Sequence, residues 1–175
     1  VWLMLRMAKS AHDADQLDLS RYLYEQVRSI DPLVIEGMHE YGYLLFTQND
    51  KNALNGLTND ILRIDNRHAT GWLLASMFCE CRKEDDISDA SGSNAKTFVE
   101  KAIQLDPSFA AAFIFKGHLH LSQGNHEQAT IAFYQANSLC KTLESYKGLV
   151  TANLTLGKTK EAMVAAKESV TLMPK

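Results

Sequence analysis

A helix-stop signal that recurs along this chain constrains its fold more than any other feature. The segments RSIDP, RIDN and IQLDP each follow an apolar helical pattern, and they end at Pro32, Asn66 and Pro107. Proline is unfavourable inside a helix and common just beyond its end. The first two stops lie 34 residues apart (66 − 32), and a regular spacing of this kind indicates internal structural repeats.

The chain fits the pattern of a helix–turn–helix repeat of about 34 residues, with a bulky residue at position 4, a Leu-Gly-like pair at 7 and 8, an aromatic residue at 11, Ala at 20 and 27, a Phe-like residue at 24 and proline at 32. A repeat that starts at Ala110 matches this pattern with Phe113 at position 4, Gly117 at 8, Ala129 at 20, Phe133 at 24 and Ala136 at 27. The structural positions of the other repeats are occupied by Gly42, Ala102, Pro107, Tyr146 and Ala162. The sequence therefore predicts an all-α, right-handed tetratricopeptide solenoid with ten helices.

We expect one domain over residues 1–175, built from five repeats at 1–34, 35–68, 69–109, 110–142 and 143–175. The third repeat is seven residues longer than the template allows (41 against about 34). Its surplus falls in RKEDDISDASGSN, residues 82–94, which is polar and contains Gly and Ser. That composition is typical of a loop and predicts an extended turn between the two helices of this repeat.

The first helix of each repeat should line a concave groove. This places His39, Tyr43, Leu73, Met77, Ile114, His118 and Lys147 on a binding surface. The surface mixes apolar, aromatic and basic groups, which suits an extended segment or a helix of a partner protein.

Residues with metal-binding chemistry are present but lack the spacing that a site needs. His118 and His120 are two positions apart, so on a helix they face nearly opposite ways, whereas helical metal pairs prefer i and i+4. Cys79 and Cys81 lack the second pair that zinc sites use. With Cys140 they make three cysteines, an odd and sparse count that is typical of reduced thiols. We predict neither a metal site nor a cofactor.

The sequence predicts binding and no catalysis. The segment GKTKE, residues 157–161, resembles the end of a phosphate-binding loop, but Ala152 stands where the first glycine belongs and no strand precedes it. No catalytic grouping of residues is evident, so the chain is not expected to be an enzyme. Its net charge is −3, which does not favour nucleic acid, and no apolar run reaches the roughly 20 residues needed to cross a membrane.

Co-chaperones with this repeat bind a C-terminal carboxylate through a defined set of Lys, Asn and Arg side chains. The equivalent positions here hold Leu5, Lys9 and Glu40. A carboxylate clamp is therefore not predicted.

Several segments resemble, in order and spacing, the subunit 7 family of the anaphase-promoting complex, its plant form above all. They are VRSIDP, GMHEYGYLL, ATIAFYQANSL and SYKGLVTANLTLGKTKEAM. The resemblance implies a non-catalytic scaffold of a multisubunit ubiquitin ligase that acts in the cell cycle, in mitosis and cell division. It implies other repeat subunits as partners, a homodimer of the full-length protein, and a place in nucleus and cytoplasm.

The chain begins with Val, and we expect it to be the middle-to-C-terminal part of such a protein. The alternative is a freestanding adaptor that binds a peptide or helix in its groove. A scaffold should have apolar ends and an adaptor polar capping helices. The last helix, KEAMVAAKESVTLMPK, has no evident polar cap and favours the scaffold.

Overall fold

The computed structural model of the chain describes residues 1–83 and 90–172, with side chains for all of these except 90–93. This part of the chain contains ten helices and no strand. The helices are α1 (Trp2–Asp13), α2 (Leu17–Ile30), α3 (Met38–Thr47), α4 (Lys51–Ile64), α5 (Ala69–Arg82), α6 (Ala90–Leu105), α7 (Ala110–Ser122), α8 (His126–Leu139), α9 (Leu143–Thr155) and α10 (Thr159–Leu172). The all-helical fold with ten helices is therefore confirmed.

The extended turn at residues 82–94 is only partly as predicted. Helix α5 ends at Arg82 as expected, but α6 already begins at Ala90, so residues 90–94 are helical and the prediction was wrong for them. Ser and Gly, which suggest a loop, disfavour a helix by at most about 1 kcal/mol per residue, so they are tolerated in its first turn. The middle of the predicted turn, residues 84–89, lies outside the described residues.

The three recurring stop segments form the same local turn. Asp31 accepts a hydrogen bond from the backbone N–H of Leu33, two residues further on. Asp65 and Asp106 accept the equivalent bonds from Arg67 and Ser108. An aspartate that bonds its own backbone two residues later favours a turn over a continuing helix, so the aspartate terminates each helix together with the residue that follows it.

The chain divides into two compact units, Val1–Phe98 and Val99–Lys175. A single solenoid over residues 1–175, and the repeat boundaries inside it, stay predictions.

In the first unit, Gly42 of α3 faces α5. A Cβ atom at Gly42 would meet the Cδ2 atom of Leu74 at 1.9 Å. The glycine therefore permits the close approach of α3 and α5. In the same unit the buried ring of Tyr24 stacks on Tyr41 of α3, with 5.1 Å between ring centroids.

The second unit is built around Phe133 of α8, whose ring lies between two glycines. A Cβ atom at Gly117 of α7 would lie 2.6 Å from the ring, and one at Gly148 of α9 would lie 2.3 Å from it. The ring belongs to a cluster with Ala129, Tyr146 and Leu149. Sequence analysis identified Gly117 but missed Gly148, for which the available signal was a glycine inside a helical pattern.

The predicted structural positions are buried, with one exception. Pro107 lies exposed beyond the end of α6, as a helix-terminating proline should. The buried positions are Gly42, Ala102, Gly117, Ala129, Phe133, Ala136, Tyr146 and Ala162.

Two glycines without side-chain neighbours should respond oppositely to alanine. Gly56 lies within α4 with open space around it, so Gly56→Ala should stabilise the protein by about 0.5–1 kcal/mol, because alanine restricts the unfolded chain and favours helix. Gly124 also has open space but has φ +74°, so Gly124→Ala should destabilise by about 1–2 kcal/mol. Urea unfolding followed by circular dichroism measures both, and shifts of the same sign would contradict this prediction.

Candidate functional site

In the predicted groove of the first unit, three polar side chains connect α1 to α3. Lys9 of α1 and Glu40 of α3 form an ion pair at 3.4 Å. The Nδ1 atom of His39 lies 3.1 Å from the other oxygen of Glu40. Burial lowers the pKa of His39, more than the neighbouring Glu40 raises it. His39 is therefore kept largely neutral beside a carboxylate that is already paired with Lys9.

Partly exposed aromatic rings continue this surface. The ring of Tyr43 is edge-on to His12 of α1, at 6.4 Å between centroids, and is stacked at 6.3 Å on Phe46. Rings that are half in contact with the protein and half accessible suit apolar or aromatic groups of a partner. Lys9, His39, Tyr43 and Phe46 together are called the α1–α3 surface below.

Two predicted groove residues are part of the core, and their assignment to the groove was wrong. Leu73 and Met77 of α5 are fully or almost fully buried. The Sδ atom of Met77 lies 3.7 Å from the position that a Cβ atom at Gly42 would take. Helix α5 packs on both α3 and α4, so more than one of its faces is covered.

A cavity of about 500 Å³ that sequence analysis missed lies beside the α1–α3 surface. It is lined by Phe46, Asn49, Glu80, Cys81 and Lys83. No short motif marks it, because its residues come from the end of α3 and the end of α5. Glu80 and Lys83, which both line the cavity, form an ion pair at 3.6 Å.

The three groove residues of the second unit differ in accessibility. Lys147 of α9 is exposed. Ile114 is half-buried and packs against the cluster around Phe133. His118 is half-buried as well, with its ring edge-on to Phe133 at 5.3 Å. Ile114 and His118 therefore support the core on one side and can offer only their remaining surface to a partner.

Burial lowers the pKa of His118 below its ordinary value of 6.5. In the unfolded chain the imidazole takes up a proton more readily, so its contribution to stability is complete above about pH 6.5 and is lost as the pH falls below that value. We expect the free energy of unfolding to decrease as the pH falls below about 6.5, the ordinary pKa of histidine, and to decrease less in His118→Gln. Burial lowers the pKa of His39 as well, so the informative quantity is the difference in pH dependence between the wild-type protein and His118→Gln. Identical pH dependences of the two unfolding free energies would contradict this role of His118.

Within the described residues, no three side chains of His, Cys, Asp or Glu are grouped in a way that could hold a metal ion. None of the three cysteines forms a disulfide, and Cys81 is buried, Cys79 half-buried and Cys140 exposed. Burial raises the pKa of the Cys79 thiol, which disfavours the reactive thiolate. None of the described helices combines the length and apolar character that a membrane span requires.

Comparisons with known proteins agree on repeat type and relatives. The tetratricopeptide repeat family matches residues 110–142. Anaphase-promoting complex subunit 7 of Arabidopsis thaliana is 36% identical over 174 residues, which is 99% of this chain and 30% of that protein. Subunit 7 of Homo sapiens is 31% identical over 145 residues, 82% of this chain and 24% of that protein.

Among solved structures, the crystal structure of the APC/C hetero-tetramer Cut9-Hcn1 is similar with a TM-score of 0.88 at 23% identity. The match covers 98% of this chain and 32% of that chain. At 23% sequence identity, this structural similarity establishes the fold alone.

The chain thus spans 30% and 24% of the length of these two curated relatives. The repeat match and the identity along nearly the full chain agree with the segments that carry the resemblance. The chain is therefore a tetratricopeptide-repeat protein that belongs to the family of anaphase-promoting complex subunit 7.

Proposed function

We propose that this chain is part of a non-catalytic scaffold in a multisubunit ubiquitin ligase of the anaphase-promoting type. The observation that carries the proposal is the 36% sequence identity with subunit 7 of Arabidopsis thaliana over 99% of the chain. Its partners are other tetratricopeptide-repeat subunits, and its place of action is nucleus and cytoplasm. The chain contributes binding surface, and the chemistry of ubiquitin transfer belongs to other subunits.

The α1–α3 surface is the part of the first unit best suited to this role. It combines the exposed ammonium group of Lys9 with the rings of Tyr43 and Phe46. Aromatic side chains with one buried and one accessible face commonly supply much of the energy at protein interfaces. Leu73 and Met77 play no direct part because they are buried.

Tyr43→Ala in the full-length protein is the test of this role. We expect weaker recovery of ligase subunits in affinity purification with mass spectrometry, while the helical circular dichroism signal and the melting temperature change little. The matched control is Tyr22→Ala, which removes an exposed tyrosine from α2 outside the surface. If the tagged wild-type protein recovers no subunit of the ligase, the scaffold function is wrong.

A freestanding peptide adaptor is the second candidate, favoured by the aromatic rings of the α1–α3 surface. It predicts that the purified chain binds short peptides in the absence of any other subunit, and that Tyr43→Ala weakens this binding. Recovery of intact ligase complexes with the tagged protein would decide for the scaffold.

A further inference from the structure

Most of the described glycines are explained by a contact or by a turn. A Cβ atom at five of them would lie within 2.8 Å of a leucine or phenylalanine side chain that belongs to another helix, namely at Gly37, Gly42, Gly71, Gly117 and Gly148. Gly124 and Gly157 have positive φ and form the turns before α8 and α10. Each of these glycines therefore has a packing reason or a backbone reason.

Gly56 of α4 has neither reason. It lies inside the helix, and a Cβ atom there would meet nothing within 4 Å. The exposed residues around it are Asn52, Asn55 and Asn59, and the four residues together are called the α4 face below. Asparagine and glycine are weak helix formers, whereas exposed helix positions favour strong ones. Residues that weaken their own helix are expected where they serve a contact, and the described part of the chain supplies none at Gly56.

The α4 face stays exposed although α4 has neighbours on both sides in the chain. The helix packs on α3 and α5. Arg21 and Arg28 of α2 form ion pairs with Asp50 and Asp60, at the start of α4 and within it. With these neighbours in place the face is still accessible, so its exposure does not depend on where the sequence begins or ends.

The α4 face is uncharged over two helical turns. Its exposed residues are three asparagines and the glycine, and a hydrogen bond of 3.3 Å from Nδ2 of Asn59 to Oδ1 of Asn55 joins two of the amides. The carboxylates at its two borders, Asp50 and Asp60, are each neutralised by an arginine of α2. A charged partner group would lose its hydration here without gaining an ion pair. The face therefore fits an uncharged partner surface.

We propose that the α4 face is a docking site for a helix of a different protein subunit, which inserts a leucine or phenylalanine side chain at Gly56. This contact repeats between two molecules what other helical glycines do within one. Gly71 receives Leu62 of α4, and Gly117 receives Phe133 of α8. The asparagine amides have donors and acceptors left for uncharged polar groups around the inserted side chain. The inference rests on the proposed scaffold function and adds a second surface, separate from the α1–α3 surface.

The first test is Gly56→Gln in the full-length protein. Glutamine favours the helix and fills the space above Gly56 with a polar chain. Recovery of the docked ligase subunit in affinity purification with quantitative mass spectrometry should fall about tenfold or more, while the melting temperature stays equal or rises. The matched control is Ser138→Gln, which places the same side chain at an exposed small residue of α8 and should recover every subunit at the wild-type level.

The second test identifies the occupant of the α4 face. Asn52 is replaced in the full-length protein by the photo-crosslinking amino acid benzoylphenylalanine, and the peptides linked to it after irradiation of the assembled ligase are sequenced. We expect a peptide from a helix of another ligase subunit with a leucine or phenylalanine, and loss of this cross-link when Gly56→Gln is added. A linked peptide from a second copy of this protein overturns the inference.

Failure of this docking site can be told apart from failure of the scaffold function. If the wild-type protein recovers the ligase subunits, but Gly56→Gln recovers all of them equally well and Asn52 yields no cross-link to another subunit, the docking site is wrong and the scaffold function stands. If the wild-type protein recovers no ligase subunit, both are wrong.

Discussion

Replacing Phe133 by alanine should lower the free energy of unfolding by about 3–5 kcal/mol. The ring is completely buried, and it contacts α7 and α9 at two glycines. Removing it leaves a cavity that Gly117 and Gly148 cannot fill, since neither has a side chain to move into it. Urea unfolding at constant pH gives the measurement.

Tyr134→Ala is the control for this prediction, because the neighbouring ring on α8 is half exposed. It should change the stability by less than about 0.5 kcal/mol. A second variant tests the same site from the other side: Gly148→Ala adds a methyl group 2.3 Å from the ring and should cost about 1–3 kcal/mol. In combination with Phe133→Leu the cost of Gly148→Ala should shrink, and strict additivity of the two substitutions would contradict the contact.

The second large effect is expected at Tyr24 in the first unit. Tyr24→Ala should destabilise the protein by about 3–5 kcal/mol, because it removes a buried ring together with its stacking on Tyr41. The contact between α2 and α3 would lose this stacked pair of rings. Thermal and urea unfolding both report this loss.

Tyr22→Ala supplies the comparison within the same helix. Tyr22 is two residues away and more than half exposed, so its truncation should leave stability almost unchanged. Equal destabilisation by the two substitutions would mean that Tyr24 is not the residue that joins α2 to α3.

Local signals in the sequence determined the helices and their ends. Pro32, Asn66 and Pro107 mark the stops because each follows an aspartate that can bond its own backbone, and the structure has this bond at all three places. The small residues Ala129, Ala136 and Gly117 mark helix crossings because only small side chains let two backbones approach. These rules involve residues close in sequence, so one sequence suffices to apply them.

Which helical faces are covered was decided by the tertiary structure. Periodicity gives the direction of Leu73 and Met77 on α5 but not the number of neighbours that α5 has, and packing on both α3 and α4 buries the residues assigned to the groove. The second glycine at Phe133, Gly148, and the pairing of Lys9 with Glu40 depend likewise on how repeats are placed against each other. The sequence by itself determined a helical repeat protein. Only the three-dimensional contacts separated its core residues from the α1–α3 surface. The reason is that burial depends on all the neighbours of a residue, whereas the local pattern reports only the neighbours along its own helix.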